Sequence, residues 1–222
     1  MIVAIDGPAG SGKSTLARML SNRLGFKYLD TGAMYRALTW KAMQEGVNLN
    51  DEAALCRLMD DTDIEIQYRN GNLVVFVDEA DVTGDIRSPS VTRNIHYISN
   101  VAGVRQRMVK LQQKLGAEGN IVAEGRDMTT VVFPHAEKKF FLDADVKERA
   151  KRRYKEFESS NKKISYEDVA SDIEMRDRHD TTRNNSPLIR EKDAIYINTT
   201  NLDIEEVFNK VLKEVESVVK NR

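Results

Sequence analysis

The sequence predicts an α/β fold in which a five-stranded parallel sheet carries helices on both faces. Short apolar runs alternate with segments of helical periodicity along the 222 residues, as is typical of strands joined by helical crossovers. The five runs lie near residues 2–6, 26–30, 120–124, 139–143 and 194–197. A sheet of this kind binds ligands at the carboxyl ends of its strands.

A glycine-rich loop follows the first strand. Residues 7–15 read GPAGSGKST, directly after the apolar run that ends in Asp6. The pattern G-x-x-x-x-G-K-[S/T] between a strand and a helix is typical of a phosphate-binding loop, whose backbone N–H groups turn inward toward phosphate oxygens. We therefore expect a P-loop NTPase-type fold, in which Lys13 reaches the β- and γ-phosphates of a triphosphate and Ser14 ligates Mg²⁺.

The next elements follow from apolar spacing and capping signals. A helix is expected over residues 14–24 and ends at Gly25, a favourable residue after a helix C-terminus. The strand at 26–30 precedes a helix that runs to about Gln44, for which Thr31 is the expected N-cap. Shorter helices are expected at 51–59, 89–98 and 104–116.

A small antiparallel β insert is predicted near residues 63–84. Asn70-Gly71 lies between two apolar runs at 64–68 and 73–77, which is a strong hairpin signal. Residues 82–85 are expected to form a third short strand or a turn.

Two charged helices are expected after the fourth strand, at 146–158 and 165–178, separated by a polar break at 159–163. Ser165 and Asp168 resemble a capping box. A charged run is usually a solvated helix face, but Arg149, Arg152 and Arg153 lie near the base of this pair. Such a helical lid could deliver guanidinium groups to a transferring phosphoryl group and exclude water. A last amphipathic helix is expected at 204–219.

Composition narrows the functional classes. The formal net charge of −1 argues against a general nucleic-acid binder, which usually has a basic excess. No apolar stretch reaches the roughly 18 residues of a membrane span. Cys56 is expected to be a small buried residue, and one cysteine cannot form an internal disulfide. We expect a cytoplasmic monomer that binds small molecules, with no nucleic-acid or membrane partner.

Acidic residues end several of the predicted strands, namely Asp6, Asp30, Glu124 and Asp143. Each could equally be a helix cap or a turn residue. Several carboxylates at one sheet edge, opposite a phosphate loop, favour a site for a triphosphate with Mg²⁺.

Five stretches together resemble the bacterial cytidylate kinases, the (d)CMP kinases of the nucleoside monophosphate kinase group. They are IDGPAGSGKS at 5–14, LDTGAMYR at 29–36, GRD at 125–127 leading to VVFP at 131–134, ERAKRR at 148–153, and RDRHD at 176–180 before SPL at 186–188. Their order and spacing cover essentially the whole chain. The resemblance implies phosphoryl transfer from ATP to CMP or dCMP with Mg²⁺. It also implies one domain over 1–222, with a nucleoside monophosphate-binding (NMP-binding) insert at about 35–105 and a lid at about 149–182.

The resemblance further implies roles for individual residues. The donor phosphates and metal would be bound by Gly7, Gly10, Ser11, Gly12, Lys13, Ser14 and Thr15. The acceptor phosphate would be bound by Thr31, Tyr35, Arg36, Arg126 and Arg183. The cytosine edge would be read by Ser99, Arg105 and Asp127, and the pentose contacted by Arg176 and Asp180. The catalytic set would be Lys13, Arg126, Arg149, Arg153 and Arg183.

Two positions depart from the family's usual pattern. Glu124 stands where many members have aspartate, and Thr129 where many have glycine. Glutamate keeps the charge but is one methylene longer.

Two alternatives stay open at this point. One is a P-loop kinase for another small acceptor, such as a different nucleoside monophosphate or shikimate. The other is a GTPase-type switch, which would need an N-K-x-D motif after a strand, whereas the last strand is followed by Asn198-Thr199-Thr200-Asn201.

Overall fold

Strands and helices alternate along the chain, and the computed structural model describes residues 1–69, 72–159 and 164–219. The strands are β1 (Ile2–Asp6), β2 (Lys27–Asp30), β3 (Ile64–Arg69), β4 (Asn72–Val77), β5 (Ala80–Asp81), β6 (Ile121–Gly125), β7 (Lys138–Asp143) and β8 (Ile195–Asn198). The helices are α1 (Lys13–Leu24), α2 (Thr31–Gln44), α3 (Glu52–Asp61), α4 (Pro89–Asn100), α5 (Ala102–Ala117), α6 (Val146–Ser159), α7 (Tyr166–Thr182) and α8 (Ile204–Val219). The structure divides into two units, residues 1–29 with 119–222 and residues 30–118.

The first unit is built on a five-stranded parallel sheet in the order β2-β6-β1-β7-β8. The central strand β1 pairs in parallel with β6 and with β7, so that Ile5 lies opposite both Glu124 and Phe140. Val3, Ala4 and Ile5 are fully buried, as expected for a parallel strand covered on both faces. The predicted five-stranded parallel sheet is confirmed.

Helices α1 and α8 pack against each other in this unit, and α1 also packs on β6. Val207, Val211 and Val215 repeat every fourth residue on α8 and are buried, which is the stripe that an amphipathic helix presents to a core. Among the described helices, none has the length and apolar character that crossing a bilayer requires.

Helices α6 and α7 pack together around a small apolar cluster. Ala150, Val169 and Ile173 are buried there. The predicted capping interaction at the start of α7 is confirmed, since Ser165 Oγ accepts from the Asp168 N–H at 3.0 Å. The second bond, at 2.7 Å, runs from the Ser165 hydroxyl to Asp168 Oδ2, whereas a full capping box uses the main-chain N–H of the cap residue. Most of the predicted polar break, residues 160–163, lies outside the described residues.

The second unit combines helices α2 to α5 with an antiparallel sheet in the order β3-β4-β5. Ile64 pairs with Val77 and Ile66 with Val75, which confirms the predicted hairpin, although Asn70 and Gly71 lie outside the described residues. The third strand is Ala80–Asp81, and residues 82–85, for which a short strand or a turn was predicted, contain a turn at 83–84. The chain leaves the sheet at Val82, which is buried, and forms a 3₁₀ turn over Asp85–Arg87.

Two predictions about local structure in this unit are wrong. The N-cap of α2 is Asp30 and not Thr31, because Asp30 Oδ1 accepts from the Ala33 N–H at 2.8 Å, the bond that defines a cap. Cys56 is only half-buried. Its Sγ lies against Gly103, where an added Cβ would come within 2.5 Å of it, so α3 and α5 approach closely through the glycine.

Gly7 joins β1 to the phosphate loop in a position that excludes any side chain. Its φ is +147°, and a Cβ at this position would lie 1.9 Å from the main-chain oxygen of Leu142 at the end of β7. Gly25, after α1, also has a positive φ of +67° but open space around it.

We expect Gly7→Ala to lower the free energy of unfolding by about 3 kcal/mol or more. The backbone strain of a side chain at positive φ and the overlap of the new Cβ with the Leu142 carbonyl oxygen add to each other. The matched variant Gly25→Ala carries only the backbone strain and should lose about 1 kcal/mol. Urea denaturation of both variants checks this difference, and equal losses would contradict the close approach to Leu142.

Candidate active site

The phosphate loop ends at the N-terminus of α1. Gly12 is the N-cap of α1, with φ +94°, and the first turn of the helix carries no acidic residue. The positive end of the helix dipole is therefore not offset by a carboxylate from that turn, and unpaired amides at such an end attract anions. Ser14 and Thr15 follow on exposed positions of α1.

Lys13 is buried inside this loop. Its side chain is held by the loop itself, because Nζ donates to the Pro8 carbonyl at 2.7 Å and to Ser11 Oγ at 3.4 Å. Burial, followed by the positive charge of Arg126, lowers the pKa of Lys13 to about 7. An anion placed beside Nζ would favour the charged form, so the loop suits a phosphate group.

Glu124 at the end of β6 faces the first turn of α1. Its Oε1 accepts from Ser14 Oγ at 2.5 Å and from the Tyr28 hydroxyl at 3.1 Å. Hydroxyl and carboxylate oxygens are the ligands that Mg²⁺ takes, often through water and together with substrate phosphates. Ser14 and Glu124 therefore fit this ion. Across the described residues no group of three or more His, Cys, Asp or Glu side chains could hold a metal ion.

The other acids at strand ends have different partners. Asp6 is fully buried, and Oδ1 accepts from the Met128 N–H at 2.9 Å while Oδ2 accepts from Thr129 N–H and Oγ1 at 2.8 and 2.7 Å. Burial raises the pKa of Asp6 to about 6, against the lowering effect of these bonds. Asp30 caps α2 and forms an ion pair with Arg36 at 3.0 Å. Asp143 accepts from the Ala144 N–H at 2.8 Å.

A positively charged cluster surrounds Asp180 near the end of α7. Arg126 Nε donates to Asp180 Oδ2 at 2.7 Å, and Arg183 Nη1 lies 3.8 Å from Asp180 Oδ1. Burial alone would raise the pKa of Asp180, but Arg126, Arg176 and Arg183 lower it. Three guanidinium groups around Asp180 form an arrangement that attracts anions, and the carboxylates of Glu124 and Asp6 also act on Arg126.

The arginines at the base of α6 differ in their surroundings. Arg149 is buried and donates to the carbonyls of Ala144 at 2.8 Å and Ala9 at 3.0 Å, and to Asp177 at 2.6 Å. Arg149 thereby joins α6 and α7 to the phosphate loop. Arg153 is partly exposed, pairs with Glu156 at 2.6 Å, and lies over the Phe157 ring.

Arg152 and Thr199 form a further contact with the phosphate loop that sequence reasoning missed. Arg152 donates to the Thr199 carbonyl at 2.6 Å and to its hydroxyl at 3.0 Å, and that hydroxyl donates to the Ser11 carbonyl at 3.3 Å. The run ERAKRR contains Arg152, but the pattern does not show which of its arginines contacts Thr199.

The second unit holds five of the residues predicted to bind the acceptor: Thr31, Tyr35, Arg36, Ser99 and Arg105. Arg105 is buried on α5, donates to the Ser99 carbonyl at 3.1 Å, and lies 5.4 Å from the centre of the Tyr35 ring. The others, Arg126, Asp127, Arg176, Asp180 and Arg183, belong to the first unit, and Asp127 is buried there.

We expect the free energy of unfolding to rise from about pH 7 to about pH 10, because the unfolded state keeps the Lys13 proton that the folded state has released. Lys13→Met should remove a slope of up to about 1.4 kcal/mol per pH unit. The control is Lys110→Met on the exposed face of α5, which should keep the wild-type slope. Urea denaturation at several pH values measures how the free energy of unfolding changes with pH. An unchanged pH dependence in Lys13→Met would contradict the lowered pKa of the buried Lys13 side chain.

Comparison with known proteins identifies a family. The family model for cytidylate kinase matches residues 3–217. A cytidylate kinase from Carboxydothermus hydrogenoformans is 47% identical over 213 residues, covering 96% of each chain. One from Bacillus subtilis is 45% identical over 214 residues, again covering 96% of each chain.

A solved structure supports the fold alone. An uncharacterized protein from Eubacterium ventriosum has a TM-score of 0.54 and 14% identity, covering 98% of this chain and 99% of that chain. The match over residues 3–217 and the identity to curated relatives at full length show that this chain belongs to the cytidylate kinase family.

Proposed function

We propose that this chain is an enzyme that transfers the γ-phosphoryl group of ATP to CMP or dCMP, giving ADP and CDP or dCDP. The observation that carries the proposal is the buried Lys13 in a phosphate loop, in a chain whose cytidylate kinase match covers residues 3–217. The phosphate loop supports a nucleoside triphosphate as the phosphoryl donor, and the family match supports CMP or dCMP as the acceptor.

On the donor side, the loop amides of residues 7–15 and Lys13 bind the ATP phosphates. Ser14 and Glu124 would hold Mg²⁺, and the contact of Ser14 Oγ with Glu124 Oε1 supports this pairing. Mg²⁺, when bound, neutralises charge on the β- and γ-phosphate oxygens. Lys13 adds a positive charge in a site where little water screens it.

On the acceptor side, the attacking group is a phosphate that is already ionised, so no general base is needed. Catalysis then depends on alignment and on charge stabilisation. The acceptor phosphate is bound by Thr31, Tyr35, Arg36, Arg126 and Arg183. The charge of Arg126, whose pKa is raised by Asp180 although burial opposes this, supports its place in this set.

Cytosine is recognised through hydrogen bonds that uracil cannot match. Its N4 amino group donates to the Asp127 carboxylate, while Ser99 and Arg105 donate to N3 and O2. Uracil presents a carbonyl where cytosine has the amino group, and a buried carboxylate facing that oxygen is unfavourable. The low exposure of Asp127 and Arg105, 4% each, supports this selection. Arg176 and Asp180 contact the pentose.

Residues at about 149–182 form a lid and residues at about 35–105 an NMP-binding insert. The lid proposal is supported by the separate apolar cluster that α6 and α7 share, while Arg149 at the base of α6 is bonded to the phosphate loop through the Ala9 carbonyl. Arg149 and Arg153 stabilise the transferring group from this lid. The enzyme acts in the cytoplasm as a monomer on free nucleotides.

A coupled assay of ADP release tests the function, with ATP, Mg²⁺ and CMP, dCMP, UMP, AMP, GMP or shikimate as acceptor. We expect strong turnover with CMP and dCMP only. Turnover confined to another acceptor would keep the phosphate loop chemistry but reject the cytosine-reading residues. Turnover with none of them would reject the proposal.

We expect Asp127→Ala to lower kcat/KM for CMP by about 10- to 100-fold, the effect of losing a hydrogen bond to a charged group. Its effect on UMP should be smaller, because uracil does not use that bond. Asp193→Ala, which removes an exposed ion pair with Lys139, serves as the control and should leave both substrates unchanged. Equal losses for CMP and UMP in Asp127→Ala would remove Asp127 from base recognition.

A further inference from the structure

Asp6 joins two segments of the first unit through its main chain and its side chain. In the parallel pairing of β1 with β6, Asp6 lies opposite Gly125. Its carboxylate accepts from the N–H groups of Met128 and Thr129, which follow Gly125 after an interval of two residues. The segment from Gly125 to Thr129 is therefore fixed at both ends by one residue.

The two residues between these fixed ends are Arg126 and Asp127. The Asp127 carbonyl accepts from the N–H groups of Val131 and Val132 at 2.9 and 3.0 Å, which begins a π-helical turn over Met128–Val132. Asp127 itself has φ −142° and ψ 24°, outside regular helix and strand geometry. The direction of its carboxylate thus depends on how the chain is held just after it.

Thr129 supplies a third bond to Asp6 through its hydroxyl, at 2.7 Å from Oδ2. Its residue exposure is 1%, so it lies beneath the surface that a nucleotide could touch. Asp6 has no exposed surface either. In a site this buried each donor to the carboxylate matters, because a buried acceptor that loses its donor is costly.

We propose that Asp6 and the Thr129 hydroxyl are positioning residues that orient Arg126 and Asp127 for acceptor binding. This inference rests on the proposed function and deepens it, since it names residues that set CMP affinity without contacting CMP. The phosphate loop depends less on this contact, because the main chain of Asp6 is held independently by its pairing with β6 and β7.

Thr129→Val tests the hydroxyl alone, because valine keeps the shape and the main-chain N–H. We expect KM for CMP to rise about tenfold and kcat to fall, because small misplacements of Arg126 and Asp127 weaken the binding and alignment of CMP. KM for ATP should stay within about twofold of the wild-type value, because these residues do not bind ATP. Thr129→Ser restores the hydroxyl and should recover most of the wild-type KM for CMP.

The outcomes separate this inference from the function on which it rests. Wild-type enzyme without CMP turnover overturns the proposed function. If the wild type is active but Thr129→Val changes KM for ATP and KM for CMP equally, the positioning role is overturned. Unchanged KM values in Thr129→Val overturn it as well. Should Thr129→Val fail to fold, Thr129→Ala against Thr129→Ser makes the same comparison, and equal KM values for CMP in those two variants overturn it.

Discussion

The pairing of β1 with both β6 and β7 is the interaction on which the first unit depends. It fixes Gly7 against the Leu142 carbonyl and brings Asp6 level with Gly125. In that register the phosphate loop, Glu124 and the Arg126-Asp127 segment all start within two residues of each other along the sheet edge. Parallel strands end at the same edge, so a short apolar strand positions groups that are more than a hundred residues apart in the chain.

This edge concentrates ionisable groups away from water. Lys13 and Asp6 have pKa values moved toward each other by burial, to about 7 and about 6, which means that burial disfavours the charged form of both. A fold selected for stability alone would place apolar residues there. The charges instead form a preorganised environment, whose orientation does not have to be rebuilt when a phosphate group arrives.

The sequence alone was sufficient for features with a local signal. Strand and helix periodicity, the glycine loop and the Ser165 capping interaction all depend on residues within a few positions of each other. Features that depend on partners far apart in the sequence were not predictable. The Asp6 carboxylate accepts hydrogen bonds from residues 122 and 123 positions away, and the Tyr28 hydroxyl donates to Glu124, which is 96 positions away. From the sequence, Thr129 could only be noted as a departure from the family pattern, because its partner Asp6 lies 123 positions away on β1. The choice of Thr31 over Asp30 as the cap was wrong for a smaller reason. Both residue types are good caps, and β2 runs directly into α2, so the helix begins one residue earlier than predicted.

The close approach of Cys56 to Gly103 has a practical consequence. Cys56 is the single cysteine of the sequence, and its sulfur is wedged between α3 and α5. Since Cys56 is half-buried, the rate at which a thiol reagent labels it reports how accessible the contact between α3 and α5 is. The first unit, which contains no cysteine, stays silent in the same experiment.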